Sequence, residues 1–214
     1  MAKLYFSYSA MNAGKSTILL QASHNYEERG MHTMLFTAFV DTRAGRGRIR
    51  SRIGLGADAY TFAETSDLFE QIRMAKEASP LDCVLIDEAQ FLTEEQVHQL
   101  GRVADELDVP VMCYGLRSDF QGRLFEGSAA LLSLAEDLRE IRTICWCGRK
   151  ATMNLRIGAD GKAITEGEQV LIGGEESYTS VCRKHWVTKE TGAEPAAQQK
   201  LELPEPSSPK TASA

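Results

Sequence analysis

The sequence predicts an α/β fold in which a doubly wound parallel sheet is followed by a small metal-binding domain. Three observations lead to this prediction: a strand–loop–helix pattern at Lys3–Thr17, later apolar strands that alternate with helices in units of about 30 residues, and two cysteine-containing turns late in the chain. We expect a nucleotide-binding domain over residues 1–140, a metal-binding domain over 141–189 and a disordered tail over 190–214, where prolines and small or charged residues accumulate.

The first element is a phosphate-binding loop. An alternating aromatic run from Lys3 leads through small residues to Gly14-Lys15-Ser16-Thr17 and then to a helical pattern that ends near Arg29. In such a loop the backbone N–H groups and the helix N-terminus surround the phosphates, the lysine reaches the β- and γ-phosphates, and the serine hydroxyl binds Mg²⁺. The predicted nucleotide-binding residues are Ser9, Ala10, Met11, Asn12, Ala13, Gly14, Lys15 and Ser16, with Ser16 also an Mg²⁺ ligand.

One position departs from the consensus G-x-x-x-x-G-K-[ST], because Ser9 stands where the first glycine is usual. Serine is small and tolerates turns, so we interpret it as a variant of the motif. The alternative is that Gly14-Lys15-Ser16 only caps a helix, and the strand that precedes it disfavours this alternative.

A second strand is predicted over Met34–Val40, and it ends at the polar cluster Asp41-Thr42-Arg43. Ligands of open α/β sheets bind at the carboxyl ends of strands, so Asp41 and Arg43 are candidate nucleotide-binding residues. Five arginines occur between Arg43 and Arg52. They either cover the phosphates or form a solvated loop, and the sequence leaves both possibilities open for all but Arg43.

The apolar run Cys83–Ile86 is typical of a buried parallel strand, and Asp87 and Glu88 follow it directly. Downstream of a phosphate-binding loop, this pattern predicts a Walker B element. Its first acid binds Mg²⁺ through water, and its second acid lies beside the attacking oxygen. A solvated strand end is the less favoured alternative.

Caps and apolar periodicity predict the other elements of this domain. They are a short strand at Ala59–Phe62, a helix from a Thr65 or Ser66 cap to Ala78, a Thr93-capped helix over Glu94–Leu107, a strand over Val109–Tyr114 and a helix over Ser128–Leu138.

Four soft ligands lie on two turns of the metal-binding domain. Cys145 and Cys147 form a Cys-x-Cys turn, and about 35 residues later Cys182 and His185 form a Cys-x-x-His pair. This set suits a tetrahedral structural Zn²⁺ with no open position. The alternative is buried thiols and an unrelated histidine, which the charged residues beside Cys182 disfavour.

The glycine-rich segment between the turns, Arg156–Tyr178, is long enough to predict a functional loop.

Composition excludes several classes of protein. The net charge of −6 and the pI near 5.3 argue against a general nucleic-acid or membrane-surface binder. We expect a cytoplasmic protein, because the start of the sequence does not resemble a signal peptide and no apolar run approaches the roughly 20 residues of a membrane span. Its five cysteines are then expected to be reduced.

These motifs together resemble the type II thymidine kinase family in its bacterial form. The matching stretches are SAMNAGKST, the DTR at Asp41–Arg43, LIDEAQF, YGLRSDF, ICWCGRKA, IGGEESY and SVCRKH, which occur in the family's order up to about Trp186. The resemblance implies a RecA-like P-loop domain and a zinc-ribbon domain whose lasso loop closes over the nucleoside. It also implies transfer of the γ-phosphoryl group of ATP, with Mg²⁺, to the 5′-hydroxyl of thymidine or deoxyuridine, for nucleoside salvage and DNA precursor synthesis.

The resemblance assigns roles to individual residues. It makes Glu88 the catalytic base and adds Asp87, Ala89 and Gln90 to the nucleotide site. The implied substrate-binding residues are Met11, Phe91, Leu116, Phe120, Gln169, Val170, Leu171, Ile172, Gly173 and Tyr178. Zinc on Cys145, Cys147, Cys182 and His185 anchors the lasso. Family members are typically homotetramers inhibited by thymidine triphosphate, and the proline-rich tail matches nothing in the family pattern.

Two other classes of protein compete with this interpretation. Asp87-Glu88-Ala89-Gln90 resembles the acidic box of helicases, but the chain has the length of one RecA-like lobe and is acidic, whereas helicases rely on basic tracks. A zinc-ribbon binding module with a vestigial P-loop is disfavoured because Lys15, Ser16, Asp87 and Glu88 are all present.

Overall fold

The computed structural model describes residues 1–41, 45–169 and 177–192. The predictions for Arg43, for Val170, Leu171, Ile172 and Gly173, and for nearly all of the tail lie outside the described residues. Within those ranges the strands are β1 (Leu4–Ser9), β2 (Thr33–Ala38), β3 (Arg48–Arg50), β4 (Gly56–Asp58), β5 (Tyr60–Phe62), β6 (Cys83–Ile86), β7 (Val111–Leu116), β8 (Asp137–Glu140), β9 (Thr143–Ile144), β10 (Lys150–Ala151), β11 (Met153–Ile157), β12 (Ala163–Ile164) and β13 (Ser177–Val181). The helices are α1 (Lys15–Glu27), α2 (Leu68–Ala78), α3 (Glu94–Leu107), α4 (Glu126–Leu134) and α5 (Arg183–Thr188).

A parallel sheet in the order β5-β2-β6-β7-β1-β8 forms the centre of the molecule. Consecutive side chains of its strands point to opposite faces, and both faces are apolar. On β6, Val84 and Ile86 pack with the helices α2, α3 and α4, whereas Cys83 and Leu85 pack with α1 and the β3–β4 hairpin. The sheet is therefore buried on both sides, which confirms the predicted α/β class.

The order of the strands places the ends of three of them at one site. Strand β7 lies between β1, which leads into the phosphate-binding loop, and β6, which leads into the acidic pair. All three strands run in the same direction, so their carboxyl ends meet at one edge of the sheet. This arrangement brings Ser9, Asp87 and Leu116 to the same region.

The predicted helix over Ser128–Leu138 is wrong in its bounds. Helix α4 begins at Glu126 and ends at Leu134, and the chain then forms β8, which pairs with β1 as a parallel edge strand. The sequence did not predict β8, because its residues are mostly charged and a short edge strand that faces solvent does not need apolar alternation. A hydrogen bond from the Leu4 amide to the carboxylate of Glu136, at 2.9 Å, helps to fix the start of this pairing.

The cap of α2 also differs from the prediction. Asp67 is the N-cap, and its side chain accepts a hydrogen bond from the Glu70 amide at 2.9 Å. The hydroxyl of Ser66 instead accepts a bond from the Ala63 amide, in the turn before the helix. Thr93 caps α3 as predicted, within a capping box completed by Gln96.

The C-terminal part of the described chain is a small β-rich unit. It contains the β9–β10 hairpin, a three-stranded antiparallel sheet in the order β12-β11-β13, and α5. Its apolar cluster includes Cys145, Ala151, Leu155, Val181 and Cys182, so the two cysteine-containing turns pack on one another. Among the described helices, none has the length and apolar character needed to cross a lipid bilayer.

Candidate active site

The phosphate-binding loop connects β1 to α1 and turns at two residues with left-handed backbone conformations, Asn12 (φ 60°) and Gly14 (φ 83°). A Cβ atom on Gly14 would meet no atom within 4 Å, so the requirement for glycine there is conformational. The loop then enters α1 at Lys15, whose side chain is buried although it carries a charge.

Ser9 has a defined task in this loop. The ammonium group of Lys15 donates to the Ser9 hydroxyl at 3.1 Å and to the Ala10 carbonyl at 3.4 Å, and the Ser9 hydroxyl donates to the same carbonyl at 2.6 Å. A glycine at this position would offer no hydroxyl to the lysine. The departure from the consensus therefore adds a hydrogen-bond partner for Lys15.

Ser16 joins the loop to the acidic pair. Its hydroxyl donates to a carboxylate oxygen of Asp87 at 2.8 Å, although the two residues are 71 positions apart. Burial, followed by the charge of the neighbouring Glu88, raises the pKa of Asp87 from 3.8 to about 7, although the bond from Ser16 and the charge of Lys15 act in the opposite direction. A serine hydroxyl and a buried carboxylate at a P-loop are the oxygen ligands that hold Mg²⁺ in this class of site.

Glu88 sits in a left-handed conformation, with φ 53° and ψ 39°, which is unfavourable for a residue that is not glycine. Its carboxylate accepts a hydrogen bond from the side-chain amide of Gln90 at 2.5 Å, and the carbonyl oxygen of that amide accepts from the Leu116 amide at 2.9 Å. Gln90 is 3% exposed, so it connects Glu88 to β7 from behind the site. The strained backbone and the fixed side chain together aim the Glu88 carboxylate.

A cavity of about 580 Å³ opens between the phosphate-binding loop, the acidic pair and the hairpin β3–β4. It brings together many of the predicted residues: Met11, Asn12, Ala13, Gly14, Lys15, Ser16, Asp41, Asp87, Glu88 and Leu116. Ala89 and Gln90 are buried behind its wall. Phe91, Phe120, Gln169 and Tyr178 lie outside its lining.

One wall of the cavity is formed by the arginine-rich segment, whose role the sequence left undecided. Residues 48–54, including Arg48, Arg50 and Arg52, line the cavity, so the arginine-rich segment faces the phosphate-binding loop. Ile49 anchors this wall, because its side chain is 2% exposed and packs with Leu19, Leu35 and the rest of that core cluster. This placement favours a basic cover over phosphates rather than a detached solvated loop.

A second group of predicted residues clusters around Arg156, which the sequence did not single out. The Arg156 guanidinium lies 4.0 Å from the Phe120 ring centroid, and its Nε donates to the Tyr178 hydroxyl at 2.8 Å. It also donates to the Glu168 carbonyl at 2.8 Å, and Gln169 donates to Asp119 at 3.0 Å. Arg156 is 2% exposed, so a buried cation holds Phe120, Tyr178 and the Glu168–Gln169 segment together.

The four predicted metal ligands converge. The ligand atoms of Cys145, Cys147, Cys182 and His185 all lie within 4.8 Å of one another. The separations are 3.3 Å from the Cys145 sulfur to His185 Nδ1, 3.6 Å from the Cys182 sulfur to the same nitrogen, and 4.0 Å between the Cys147 and Cys182 sulfurs. Tetrahedral Zn²⁺, with bonds of about 2.3 Å to sulfur and about 2.0 Å to nitrogen, requires separations of about 3.5–3.8 Å, so the donor set fits zinc.

The surroundings of His185 also suit a metal ligand. Its Nδ1 faces the thiols, while its Nε2 lies 3.7 Å from a carboxylate oxygen of Glu190, and the Trp146 ring stacks on the imidazole with centroids 4.2 Å apart. Backbone N–H groups around His185 and Lys184 lower the pKa of Cys182, which favours its thiolate form, whereas burial raises the pKa of Cys145.

One contact between the two parts of the molecule was not predicted. The Met11 amide in the phosphate-binding loop donates to the Asn154 side chain on β11 at 2.8 Å, and the Ser180 hydroxyl on β13 donates to the Met11 carbonyl. Asn154 and Ser180 face each other in the antiparallel register. Nothing in the sequence near either residue signals this contact.

The parallel sheet, the glycine–lysine–serine loop between β1 and α1 and the Ser16–Asp87 pair define a P-loop nucleotide-binding protein of the α/β class. Comparison with known proteins narrows the class. A family model described as thymidine kinase matches residues 2–186, so the chain belongs to the thymidine kinase family and is an enzyme of that family.

Individual relatives agree with this assignment. A thymidine kinase from Ruegeria pomeroyi is 64% identical over 198 residues, which cover 92% of this chain and 99% of the relative. Thymidine kinases from Jannaschia sp. and Agrobacterium fabrum are 62% and 59% identical, and each alignment covers 87% of this chain and at least 95% of the relative. Among solved structures, the Pif1 helicase from Candida albicans is similar at a TM-score of 0.40 and 14% identity, over 68% of this chain and 37% of the helicase. A likeness at that level carries no argument about function.

Proposed function

We propose that this protein transfers the γ-phosphoryl group of ATP to the 5′-hydroxyl of thymidine, and also of deoxyuridine. The relatives named above are thymidine kinases, and the substrate of this chain is inferred from them. The observation that carries the proposal is a series of hydrogen bonds beside one cavity. The Ser16 hydroxyl and the Glu88 backbone amide both donate to the Asp87 carboxylate, and the Gln90 side chain donates to the Glu88 carboxylate from behind the cavity wall.

The phosphate-binding loop supports the nucleotide half of the proposal. The backbone from Ser9 to Gly14 and the start of α1 would surround the β- and γ-phosphates, with Lys15 released from Ser9 and Ala10 to contact them. Ser16 would bind Mg²⁺ directly and Asp87 through water, and the ion when bound neutralises charge on the phosphate oxygens. Asp41, Arg43, Ala89 and Gln90 remain predicted members of the nucleotide site, and Arg48, Arg50 and Arg52 are added here as its basic cover.

Glu88 is the proposed base. Its carboxylate would accept the proton of the nucleoside 5′-hydroxyl as the hydroxyl oxygen forms a bond to the γ-phosphorus. The bond between the γ-phosphorus and the β–γ bridging oxygen breaks in the same displacement, and its electron pair leaves with ADP. Gln90 would hold the carboxylate in place during this step, because its amide donates to one carboxylate oxygen.

The nucleoside is proposed to lie between two groups of residues. Met11 and Leu116 line the cavity beside Glu88, where they would contact the base and its 5-methyl group. Phe120, held by Arg156, would form an aromatic wall near the base that contributes about 1–3 kcal/mol by stacking, and Tyr178 would pack on the sugar or methyl side. A single methyl contact contributes roughly 1–3 kcal/mol, so the pocket would discriminate only weakly against deoxyuridine.

The remaining predicted substrate contacts belong to this nucleoside site. Phe91 packs against Phe125 with ring centroids 6.0 Å apart, next to the turn that carries Gln90. Gln169 precedes the segment Val170, Leu171, Ile172 and Gly173, whose backbone groups are proposed to bind the pyrimidine.

Structural Zn²⁺ on Cys145, Cys147, Cys182 and His185 is proposed to anchor both ends of the lasso loop. With four protein ligands, such a site leaves no open position for catalysis. The nucleotide-binding domain is proposed to span residues 1–140 and the zinc-binding domain residues 141–189. We further propose a cytoplasmic homotetramer that acts in nucleoside salvage and DNA precursor synthesis, is inhibited by thymidine triphosphate, and binds neither nucleic acid nor membranes. These properties rest on the family to which the chain belongs.

A phosphoryl-transfer assay tests the function. The zinc-replete protein is incubated with ATP, Mg²⁺ and a panel of nucleosides, and formation of the 5′-monophosphate is followed. Product from thymidine and deoxyuridine, and none from deoxycytidine or purine nucleosides, is the expected result. Product from another nucleoside alone, or ATP turnover stimulated by single-stranded DNA and not by thymidine, would contradict it.

A further inference from the structure

The C-terminal β-rich unit holds one residue of the phosphate-binding loop by both of its backbone polar groups. The Met11 N–H donates to Asn154 Oδ1 at 2.8 Å, and the Met11 carbonyl accepts from the Ser180 hydroxyl. The backbone N–H groups of a phosphate-binding loop must point inward at the phosphates. Because these two contacts fix the peptide groups on both sides of Met11, they also fix the direction in which the neighbouring N–H groups point.

The two side chains that hold Met11 form one unit. Asn154 on β11 and Ser180 on β13 are directly opposite each other in the antiparallel ladder, and both are buried. Asn154 also donates through its Nδ2 to the Ser118 carbonyl at 3.0 Å, in the segment that follows β7. The loop after β1 and the loop after β7 are thus connected through one asparagine.

The position of this pair links it to the metal cluster. Ser180 lies two residues before Cys182, and Thr152, next to β11, donates its amide to the Val181 carbonyl at 3.0 Å. Val181 and Cys182 belong to the same apolar cluster as Leu155 on β11. The strands that present Asn154 and Ser180 are therefore held in register close to the four metal ligands.

We propose that Asn154 and Ser180 are positioning residues for the phosphate-binding loop, through which the C-terminal unit sets the affinity of this enzyme for the triphosphate of ATP. The proposal rests on the proposed function, in which this loop binds ATP. It gives the metal-supported unit a second task, in addition to covering the nucleoside. Asn154 and Ser180 act through the Met11 backbone and need no contact with the substrate.

Substitution of Ser180 provides the first test. Ser180→Ala removes the donor to the Met11 carbonyl and is expected to weaken binding of ATP and of inorganic tripolyphosphate about fivefold, as the loss of one hydrogen bond in a buried site implies. Thymidine affinity is expected to fall less than ATP affinity, because the bond holds the Met11 backbone and only the Met11 side chain is proposed to contact the base. Ser180→Thr keeps the hydroxyl and is expected to restore ATP affinity.

Asn154 provides an independent variant. Asn154→Ala loses both the acceptor for the Met11 amide and the donor to the Ser118 carbonyl. It is therefore expected to weaken tripolyphosphate binding at least as much as Ser180→Ala, which loses one contact. Thr179→Ala is the matched control for Ser180→Ala, because consecutive residues of β13 point to opposite faces and the Thr179 side chain therefore points away from Met11.

Calorimetric titration of each variant with tripolyphosphate, ATP and thymidine separates the outcomes, with zinc content and thermal unfolding measured on the same samples. Weaker binding of both phosphate ligands in folded, zinc-containing Ser180→Ala and Asn154→Ala, with a smaller loss of thymidine affinity, supports the proposal. Unchanged phosphate binding in both variants overturns it, as does a loss confined to thymidine. A wild-type protein that binds neither ATP nor tripolyphosphate would overturn the proposed function, and this inference with it.

Discussion

The carboxylate of Glu88 lies 2.5 Å from the side-chain amide nitrogen of Gln90, and the side-chain oxygen of Gln90 accepts a hydrogen bond from the Leu116 backbone amide on the neighbouring strand. The proposed base is thus held by a buried side chain that β7 itself fixes. Gly115 permits this arrangement, because a Cβ there would come within 3.0 Å of both the backbone nitrogen and the side-chain oxygen of Gln90.

Replacement of Gln90 by methionine should lower kcat about 10- to 100-fold, with a smaller effect on the KM for either substrate. The variant keeps the volume of the side chain but releases the Glu88 carboxylate, and small errors in the position of a catalytic group reduce rates by factors of this size. Steady-state kinetics with varied ATP and thymidine provide the measurement. Gln71→Met, on the exposed face of α2, is the control. An unchanged kcat in Gln90→Met would show that the hydrogen bond does not position Glu88.

Glu88→Gln should retain ATP and thymidine binding but lose about 10²- to 10⁴-fold in kcat, the range that general base catalysis contributes. The amide keeps the shape of the side chain and cannot accept the hydroxyl proton. Binding is measured by titration and turnover by product formation, with Glu64→Gln at an exposed position as the control. Turnover close to that of the wild type would remove Glu88 from the role of base.

Ser16→Ala should raise the Mg²⁺ concentration needed for half-maximal activity about tenfold or more, because it removes a proposed metal ligand and the hydroxyl that donates to Asp87. Ser16→Thr keeps a hydroxyl at the same atom position and should resemble the wild type. Activity as a function of Mg²⁺ at saturating ATP distinguishes the two variants. If both require the same Mg²⁺ as the wild type, Ser16 is not a ligand.

Metal analysis of carefully prepared protein should find about one zinc per chain, since four ligand atoms converge at distances that suit a tetrahedral ion. His185→Gln should reduce this content to near zero and lower the Tm. His24→Gln, at an exposed position on α1, should leave both quantities unchanged. Protein without zinc that unfolds at the same temperature as the wild type would contradict a structural role for the site.

Alkaline pH should destabilise the fold through a buried thiol and a partly buried phenol that stay protonated in the folded chain. Burial raises the pKa of the Cys83 thiol from 9.0 to about 12 and, as the largest cause, that of the Tyr26 hydroxyl from 10.0 to about 12. The unfolded chain loses these protons at lower pH than the folded chain does. The stability contribution is therefore complete below about pH 9 and falls as the pH rises from about 9 to about 12.

Denaturant unfolding at several values between about pH 8 and about pH 11 measures this effect. Tyr26→Phe removes one of the titrating groups, so the free energy of unfolding should fall less steeply in this variant than in the wild type. Tyr60→Phe is the control, because Tyr60 is 61% exposed. Equal slopes in the wild type and Tyr26→Phe would show that Tyr26 does not contribute.

Local sequence patterns predicted the centre of the fold well. The glycine–lysine–serine turn, the apolar run before Asp87 and the Thr93 cap each depend on residues within one turn or strand, and the structure places each element close to its predicted bounds. The metal ligands were equally clear, because cysteine and histidine at short spacing have few other uses in a reduced protein.

Long-range contacts were not predictable in the same way. Strand β8 exists because β1 has an open side, and its own residues resemble the end of a solvated helix. The contacts of Met11 with Asn154 and Ser180 join residues more than 140 positions apart, and asparagine and serine are common in every kind of loop and strand. Arg156 was missed for the same reason, because its burial depends on Phe120 and Tyr178 from other segments.

The positive φ of Glu88 has a consequence for directed evolution of this enzyme. A left-handed backbone at a residue other than glycine costs about 1–3 kcal/mol, and at this position glycine would remove that cost together with the carboxylate. Selection for heat resistance alone would therefore reward loss of the acid. Screens for more thermostable variants of this enzyme need to measure turnover in every round. Otherwise the most stable variants selected would be those that had lost the proposed base and, with it, activity.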